Sequence, residues 1–389
     1  MYLFAVFFVL YEFTTYASND MIMPGMIQVV HHFNAKEYYV AQSLSLYILG
    51  NCVFLILAGF LAERYGKRKL ILSGNLLFLL FTILIIFSQN IHQFMLLRFI
   101  QGGGLAVIAI GYALIHQKFN DKAAIKLIAL MSNVSILAPL IGPAIGSFMM
   151  SYFSWQSIFV LCAFLSAVAF IGLYQFTPKD SGAQSTLTIF SVLKQYGKII
   201  SIKEFYKGMA CSVLIIMPLL IWIGQAPNLI LFKLNLGYKQ YVIYQLISIG
   251  GLTVSSIIMQ YIVGKFRLYS IVRVGALLVL IGVTISIIKM TMDAIVAGLF
   301  ITSLGIGLAN GCIWRLVLSI KGHSHAMLSS TLGFMQALFF AIGISLINEF
   351  ISYYHFELWS FSISLFAFGA LGFLLLINYI STYKNREWN

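Results

Sequence analysis

The chain has 389 residues, of which 61% are hydrophobic and 9% charged, and it carries a formal net charge of +13. Soluble domains contain about 25% charged residues, so a soluble enzyme or binding module is excluded and a polytopic membrane protein is expected. The Lys and Arg residues fall in short loops between apolar stretches and not on one basic face, which excludes a nucleic-acid partner.

Apolar stretches of the ~17–25 residues needed to cross a bilayer lie near 3–27, 40–62, 70–88, 92–117, 125–151, 155–176, 206–232, 238–264, 270–290, 293–319, 325–350 and 355–383. The fold class expected is an all-α membrane protein of twelve transmembrane helices. The first stretch runs through charged residues without a small-residue cleavage site, so it is expected to be a span and not a signal peptide. The longest polar connection, 177–205, separates six spans in 1–176 from six in 206–389, the arrangement of two parallel halves. With both termini cytoplasmic, 18 of the 24 Lys and Arg fall on the cytoplasmic side, four outside and two within spans, as the positive-inside rule requires. Cys52, Cys162, Cys211 and Cys312 sit in four different spans without Cys-x-x-Cys spacing and are expected to pack as free thiols. The seven histidines lie at or near span ends, so carboxylates are the expected proton carriers; no metal site is expected, His31 and His32 lacking a third ligand at suitable spacing.

The first span holds the most costly residues. Glu12 and Asp20 lie inside it, and each acid buried in hydrocarbon costs about 2.5–3.5 kcal/mol on insertion scales, so a functional site is expected there. Eight residues at ~100° each place them ~80° apart around the helix and ~12 Å apart along it.

Between spans two and three the chain reads Gly59-Phe-Leu-Ala-Glu63-Arg64-Tyr-Gly66-Lys67-Arg68-Lys69. Sidedness alone accounts for the basic residues, and Gly66 is expected to end a helix in left-handed geometry. The spacing also resembles the loop signature of the major facilitator superfamily, with Glu63 where that family usually has Asp; the resemblance implies a latch between the halves on the cytoplasmic side.

Span four opens Leu97-Arg98-Phe-Ile-Gln101-Gly102. A guanidinium keeps its proton, so Arg98 must be paired or hydrated. Counted from the outer ends it lies level with Asp20, so a charge pair is expected, direct or through Gln101 or water, with a purely structural pair as the alternative. Arg-x-x-Gln-Gly also resembles the fourth-span signature of proton-coupled carriers in the same superfamily. Span five contains Asn133, Ser135, Pro139, Gly142, Pro143, Gly146 and Ser147. Its prolines bend a helix and its glycines allow close packing, and Gly-Pro-x-x-Gly resembles the superfamily's antiporter motif.

The second half has no acid well inside a span, since Asp293, Glu349 and Glu357 are terminal. Span seven, Met217-Pro218-Leu219-Leu220 through Pro227, reads equally as a wall of an apolar pocket or as helix packing. Span ten carries Gly305-Ile-Gly307-Leu-Ala-Asn310-Gly311, and Arg315 near its cytoplasmic end, either snorkelling to the interface or acting in the conformational change.

Over nearly its whole length the chain resembles a drug/proton antiporter of the major facilitator superfamily. The most specific stretches are Tyr11–Tyr16 through Asn19-Asp20-Met21, Leu97-Arg98-Phe99 with Gln101-Gly102, Ala129-Leu130-Met131 leading to Pro139, Pro218-Leu219-Leu220, and Gly305–Asn310. The resemblance implies that Glu12 and Asp20 carry proton coupling and recognition of cationic drugs, with Arg98 linked to the protonation of Asp20. It implies a pocket lined by Tyr16, Asn19, Met131, Ser135, Leu219, Leu220, Ile223 and Phe340, with Ser135 standing where the family shows alanine. Expected from it are a monomer in a bacterial inner membrane, small-molecule drugs and protons as partners, no cofactor beyond the coupling proton, and export by alternating access. Alternatives on the same fold are a dedicated exporter of one metabolite such as a siderophore or sugar, a monovalent cation/proton antiporter, and a flippase. A membrane-embedded enzyme is disfavoured, because no Ser/His/Asp, metal-ligand or nucleotide-loop constellation is present.

Overall fold

The computed structural model describes residues 2–118, 121–179, 189–320, 322–323 and 325–383. Among these the chain is helical, in two compact units that part between Lys194 and Gln195, within the 177–205 connection.

The first unit begins with α1 (Tyr2–His32), followed by α2 (Tyr38–Tyr65) and α3 (Lys67–Ile86). Next, α4 (Ile91–Gly102) passes through a 3-10 turn at Gly103–Val107 into α5 (Ile108–Lys118), and α6 (Asp121–Tyr152) and α7 (Gln156–Phe176) follow. A short amphipathic helix, α8 (Ile189–Ile200), crosses the boundary. The second unit contains α9 (Lys203–Pro227), continued by a π-helix at Asn228–Lys233, then α10 (Gly237–Ile262), α11 (Leu268–Lys289), α12 (Met292–Leu318), α13 (His325–Tyr353) and α14 (Leu358–Tyr383).

With α4 and α5 taken as one span and the π-helix joined to α9, twelve long helical segments match the twelve expected spans. Ten of them are long and apolar enough to cross a membrane by length and composition among the described residues. The other two are α1 and α6. In α1 the apolar run is diluted by Glu12, Thr14, Thr15, Ser18, Asn19 and Asp20, which the bundle must shelter. In α6 the apolar part is Leu137–Tyr152. At 31 residues α1 is ~46 Å long, five residues longer at its C-terminal end than the apolar pattern shows.

Within the first unit α1 lies against α6 and α7, and α2 against α4. Gly102 allows the second contact, since a Cβ there would stand 2.1 Å from the Tyr47 carbonyl oxygen, and one at Gly50 would strike the Phe99 carbonyl. Such close approach lets helices gain dispersion contacts where lipid supplies no hydrophobic drive. Within the second unit α12 packs on α10 and α11, and α14 on α9 and α11. All four cysteines are buried and free, as expected.

The loop between α2 and α3 departs from expectation in one respect. Gly66 has φ 91° and ψ 148°, so it is not in the left-handed helical well. Instead it occupies a more extended positive-φ region that essentially only glycine tolerates, and it ends α2 while starting α3. Here the chain passes from one helix to the next with Gly66 as the single intervening residue. The basic residues that follow tie the unit's helix ends together: Lys67 Nζ donates to Gln117 Oε1 at the end of α5, and Arg68 Nη2 donates to the Tyr174 carbonyl on α7 at 2.8 Å. Arg64 is exposed, its guanidinium 5.5 Å from the Tyr65 ring. Gly59 lies in α2; the side-chain environment of Glu63 is outside the described residues.

Candidate proton and substrate site

Among the described residues, Glu12, Asp20 and Arg98 are the only buried charged side chains, and all three belong to the first unit. The second unit's acids stay at helix ends. Asp293 accepts from Tyr244 Oη at 2.9 Å, and Glu357 pairs with Lys233 at 2.5 Å, both partly exposed.

Arg98 is completely buried on α4, with each of its three nitrogens donating one hydrogen bond. Its Nη1 donates to Gln101 Oε1 (2.6 Å), its Nη2 to Asn19 Oδ1 (2.8 Å) and its Nε to Ser43 Oγ (3.2 Å). The guanidinium carbon sits 4.5 Å from the centre of the Tyr47 ring, within cation–π range. Gln101 Nε2 donates onward to Thr82 Oγ1 on α3 at 2.8 Å, and Tyr47 Oη to the Thr15 carbonyl at 2.8 Å. The network thus draws α1, α2, α3 and α4 together through one cation.

The charge pair expected between Arg98 and Asp20 is not a direct salt bridge. Asn19 stands between them, its Oδ1 taken by Arg98 and its Nδ2 3.4 Å from Asp20 Oδ1. The depth match read from the sequence agrees with this geometry, but the relay is Asn19; Gln101 lies on the far side of the guanidinium. Two further features converge on Asp20. Pro24 lies four residues on, inside α1, and has no N–H to give the Asp20 carbonyl. From the other side α6 presses close: a Cβ at Gly142 would lie 2.9 Å from Asp20 Cβ, and one at Gly146 would lie 2.0 Å from the Met21 carbonyl oxygen. The Gly-Pro-x-x-Gly glycines therefore serve as the seat for the Asp20 segment. Pro139 and Pro143 lie within α6, which continues through both.

Overpacking at this seat costs about 1–3 kcal/mol. Gly146→Ala is expected to lower the thermal unfolding midpoint of the purified protein by several degrees. Gly250→Ala, where a Cβ would meet only Phe300 at 3.9 Å, should leave the midpoint unchanged or raised.

Glu12 is also fully buried, two turns down α1. Tyr112 Oη on α5 donates to its Oε1 at 3.0 Å, while Oε2 has no hydrogen-bond partner among the described residues. Met131 on α6 is buried in the hydrophobic core of the first unit, against which Tyr16 and Tyr112 pack. The expected pocket residue Ser135 has a side chain outside the described residues. Leu219 is buried on α9 in the second unit, and Leu220, Ile223 and, on α13, Phe340 are half-buried. Arg315 is exposed in the last turn of α12.

Sequence reasoning did not single out Tyr112, Ser43, Tyr47, Thr82 or Pro24. The signal available for the first four was polarity inside an apolar span; for Pro24 it was the i+4 spacing from an acid.

The family model described as Major Facilitator Superfamily matches residues 8–348. A multidrug transporter MdfA of Yersinia pestis bv. Antiqua (strain Angola) is 32% identical, covering 99% of this chain and 94% of its own. A multidrug transporter MdfA of Escherichia coli O6:H1 is 34% identical over 88% of this chain and 86% of its own. A solved D-xylose–proton symporter superposes with a TM-score of 0.74 at 14% identity, over 96% of this chain and 97% of that one, which speaks to fold alone. From this match along almost its entire length, together with twelve helical spans, the chain belongs to the Major Facilitator Superfamily.

Proposed function

We propose that this chain is a multidrug exporter that exchanges protons for amphipathic, often cationic, compounds by alternating access, as a monomer in a bacterial inner membrane with both termini cytoplasmic. The observation that carries the reading is the confinement of buried charge, among the described residues, to Glu12, Asp20 and Arg98, in a chain whose relatives are multidrug transporters.

The mechanism follows from competition. A carboxylate sheltered from water gains by holding either a proton or a lipophilic cation, and the two together are disfavoured. Glu12 offers an oxygen without a partner beside the aromatic and aliphatic core that Tyr112 packs against, suited to a hydrophobic cation. Asp20 sits one residue from the Asn19–Arg98 link, so its charge state is felt through the polar network of four helices. Asp20 accordingly takes the coupling role and Glu12 the first encounter with the cation. Proton entry from outside then expels the cation, and cation binding from inside releases the proton.

The test is transport by the purified protein in liposomes holding a pH gradient, acid on the side from which protons enter. Tetraphenylphosphonium is expected to move against the proton flux and to stop moving when the gradient is collapsed. A dedicated exporter of one metabolite would ignore it, and a monovalent cation/proton antiporter would move sodium or potassium in its place.

A further inference from the structure

The second unit contains a polar cluster that neither the carboxylate site nor helix capping uses. Ser212 on α9, Asn310 on α12 and Gln336 on α13 meet through one hydroxyl: Ser212 Oγ donates to Asn310 Oδ1 at 2.5 Å and accepts from Gln336 Nε2 at 2.7 Å. That uses the serine's one hydrogen and one of its two lone pairs. It leaves Asn310 Nδ2, a donor, and Gln336 Oε1, an acceptor, without a partner among the described residues, although Gln336 is only 6% exposed. A second amide cluster in the same unit behaves differently. Gln225 has both ends used, donating to Asn348 at 2.8 Å and accepting from Asn228 at 3.1 Å, although Asn228 Oδ1 is itself buried without a hydrogen-bond partner among the described residues.

About 100° round α12 from Asn310 the helix surface is open. Asn310 is half-buried, and the next residue, Gly311, is exposed with nothing within 4 Å of where a Cβ would be. Seven residues separate Ser212 from Leu219, which is a rotation of ~20° short of two full turns, and four separate Gln336 from Phe340, so both lie on the helix faces of those apolar residues and ~6–10 Å along.

We propose that Ser212, Asn310 and Gln336 form a neutral hydrogen-bonding subsite for uncharged groups of substrates that carry both a donor and an acceptor, an amide or a hydroxyl. The donor of Asn310 and the acceptor of Gln336 match such a group, and none of the three residues attracts a cation. The subsite rests on the export reading above and extends it: charge is recognised in the first unit, and uncharged polar groups in the second. A cluster serving only as helix glue is the rival account. Interhelical hydrogen bonds contribute to helix association in membranes, and such a role would not distinguish one ligand from another.

The experiment measures binding of two probes to the full-length protein in detergent: tetraphenylphosphonium, which has no hydrogen-bonding group, and N-(2-hydroxyethyl)-1-naphthamide, which is neutral and has both an amide and a hydroxyl. Gln336→Leu and Asn310→Leu are each compared with wild type, so that misfolding of one variant leaves the other to decide. The expected result is a Kd for the naphthamide weakened about ten-fold, equivalent to roughly 1.4 kcal/mol, with the tetraphenylphosphonium Kd changed less than about two-fold. Equal weakening of both probes, an unchanged naphthamide Kd, or wild type that binds only tetraphenylphosphonium would overturn the subsite alone. Wild type that binds neither probe overturns the export reading and the subsite with it.

Discussion

Asp20→Asn, purified in detergent, is expected to release at least ten-fold fewer protons than wild type when tetraphenylphosphonium binds. The amide is nearly isosteric and keeps an acceptor facing Asn19 Nδ2, which stands 3.4 Å from the carboxylate, so the helix packing at Gly142 and Gly146 is retained while the exchangeable proton is lost. In wild type the cation's affinity should fall as the medium is acidified, because the proton and the cation compete for one carboxylate. In the variant that acid limb flattens. Glu12→Gln should behave differently. Its carboxylate touches Tyr112 and has no link to the Arg98 network, so the change should weaken cation binding while leaving most of the proton release. Release from Asp20→Asn at wild-type stoichiometry would remove Asp20 from the coupling role and transfer it to Glu12.

The confidence with which the two acids stand out in the sequence comes from a large energy. An acid in a spanning segment is expensive enough that position alone marks it, and the same cost makes Arg98 visible. Spans were legible for the related reason that bilayer thickness sets their length. Partners were not legible. Arg98 meets Asn19, Ser43 and Gln101, which come from three helices, and Tyr112 reaches Glu12 across 100 positions of chain. Periodicity tells which residues share a face of one helix and is silent on which helix lies opposite. Depth counting put Arg98 level with Asp20 and could not choose among the polar residues at that level, so it offered Gln101 as the intermediary where the structure has Asn19. The C-terminal turn of α1 and the φ of Gly66 leave no pattern in the sequence because the deciding forces are weak local backbone preferences. In the second unit Asn310 was visible as a polar residue in an apolar span, but its meaning depends on Ser212 and Gln336, about 100 and 26 residues away.

The Asn19 relay makes a prediction that a direct Asp20–Arg98 pair does not. Removing the cation with Arg98→Met withdraws the positive charge that favours ionised Asp20, so the pH profile of tetraphenylphosphonium binding should move alkaline by on the order of one unit. Methionine is chosen because it fills the buried volume beside Tyr47 without a polar atom. Its cost lies in the acceptors left behind on Gln101, Asn19 and Ser43, each about 1–3 kcal/mol if nothing else takes it, and unfolding midpoints must be recorded beside the profile. Asn19→Leu keeps the guanidinium but deletes both the acceptor at 2.8 Å from Arg98 Nη2 and the donor facing Asp20. If charge reaches Asp20 through that amide, Asn19→Leu moves the profile in the same direction as Arg98→Met, and the double variant moves it no further than the larger single one. Residues acting in one network are non-additive in this way, whereas independent ones add to within a few tenths of a kcal/mol. Additive shifts, or an Asn19→Leu profile that coincides with wild type, would show that Arg98 acts on Asp20 through space and that Asn19 only packs between them.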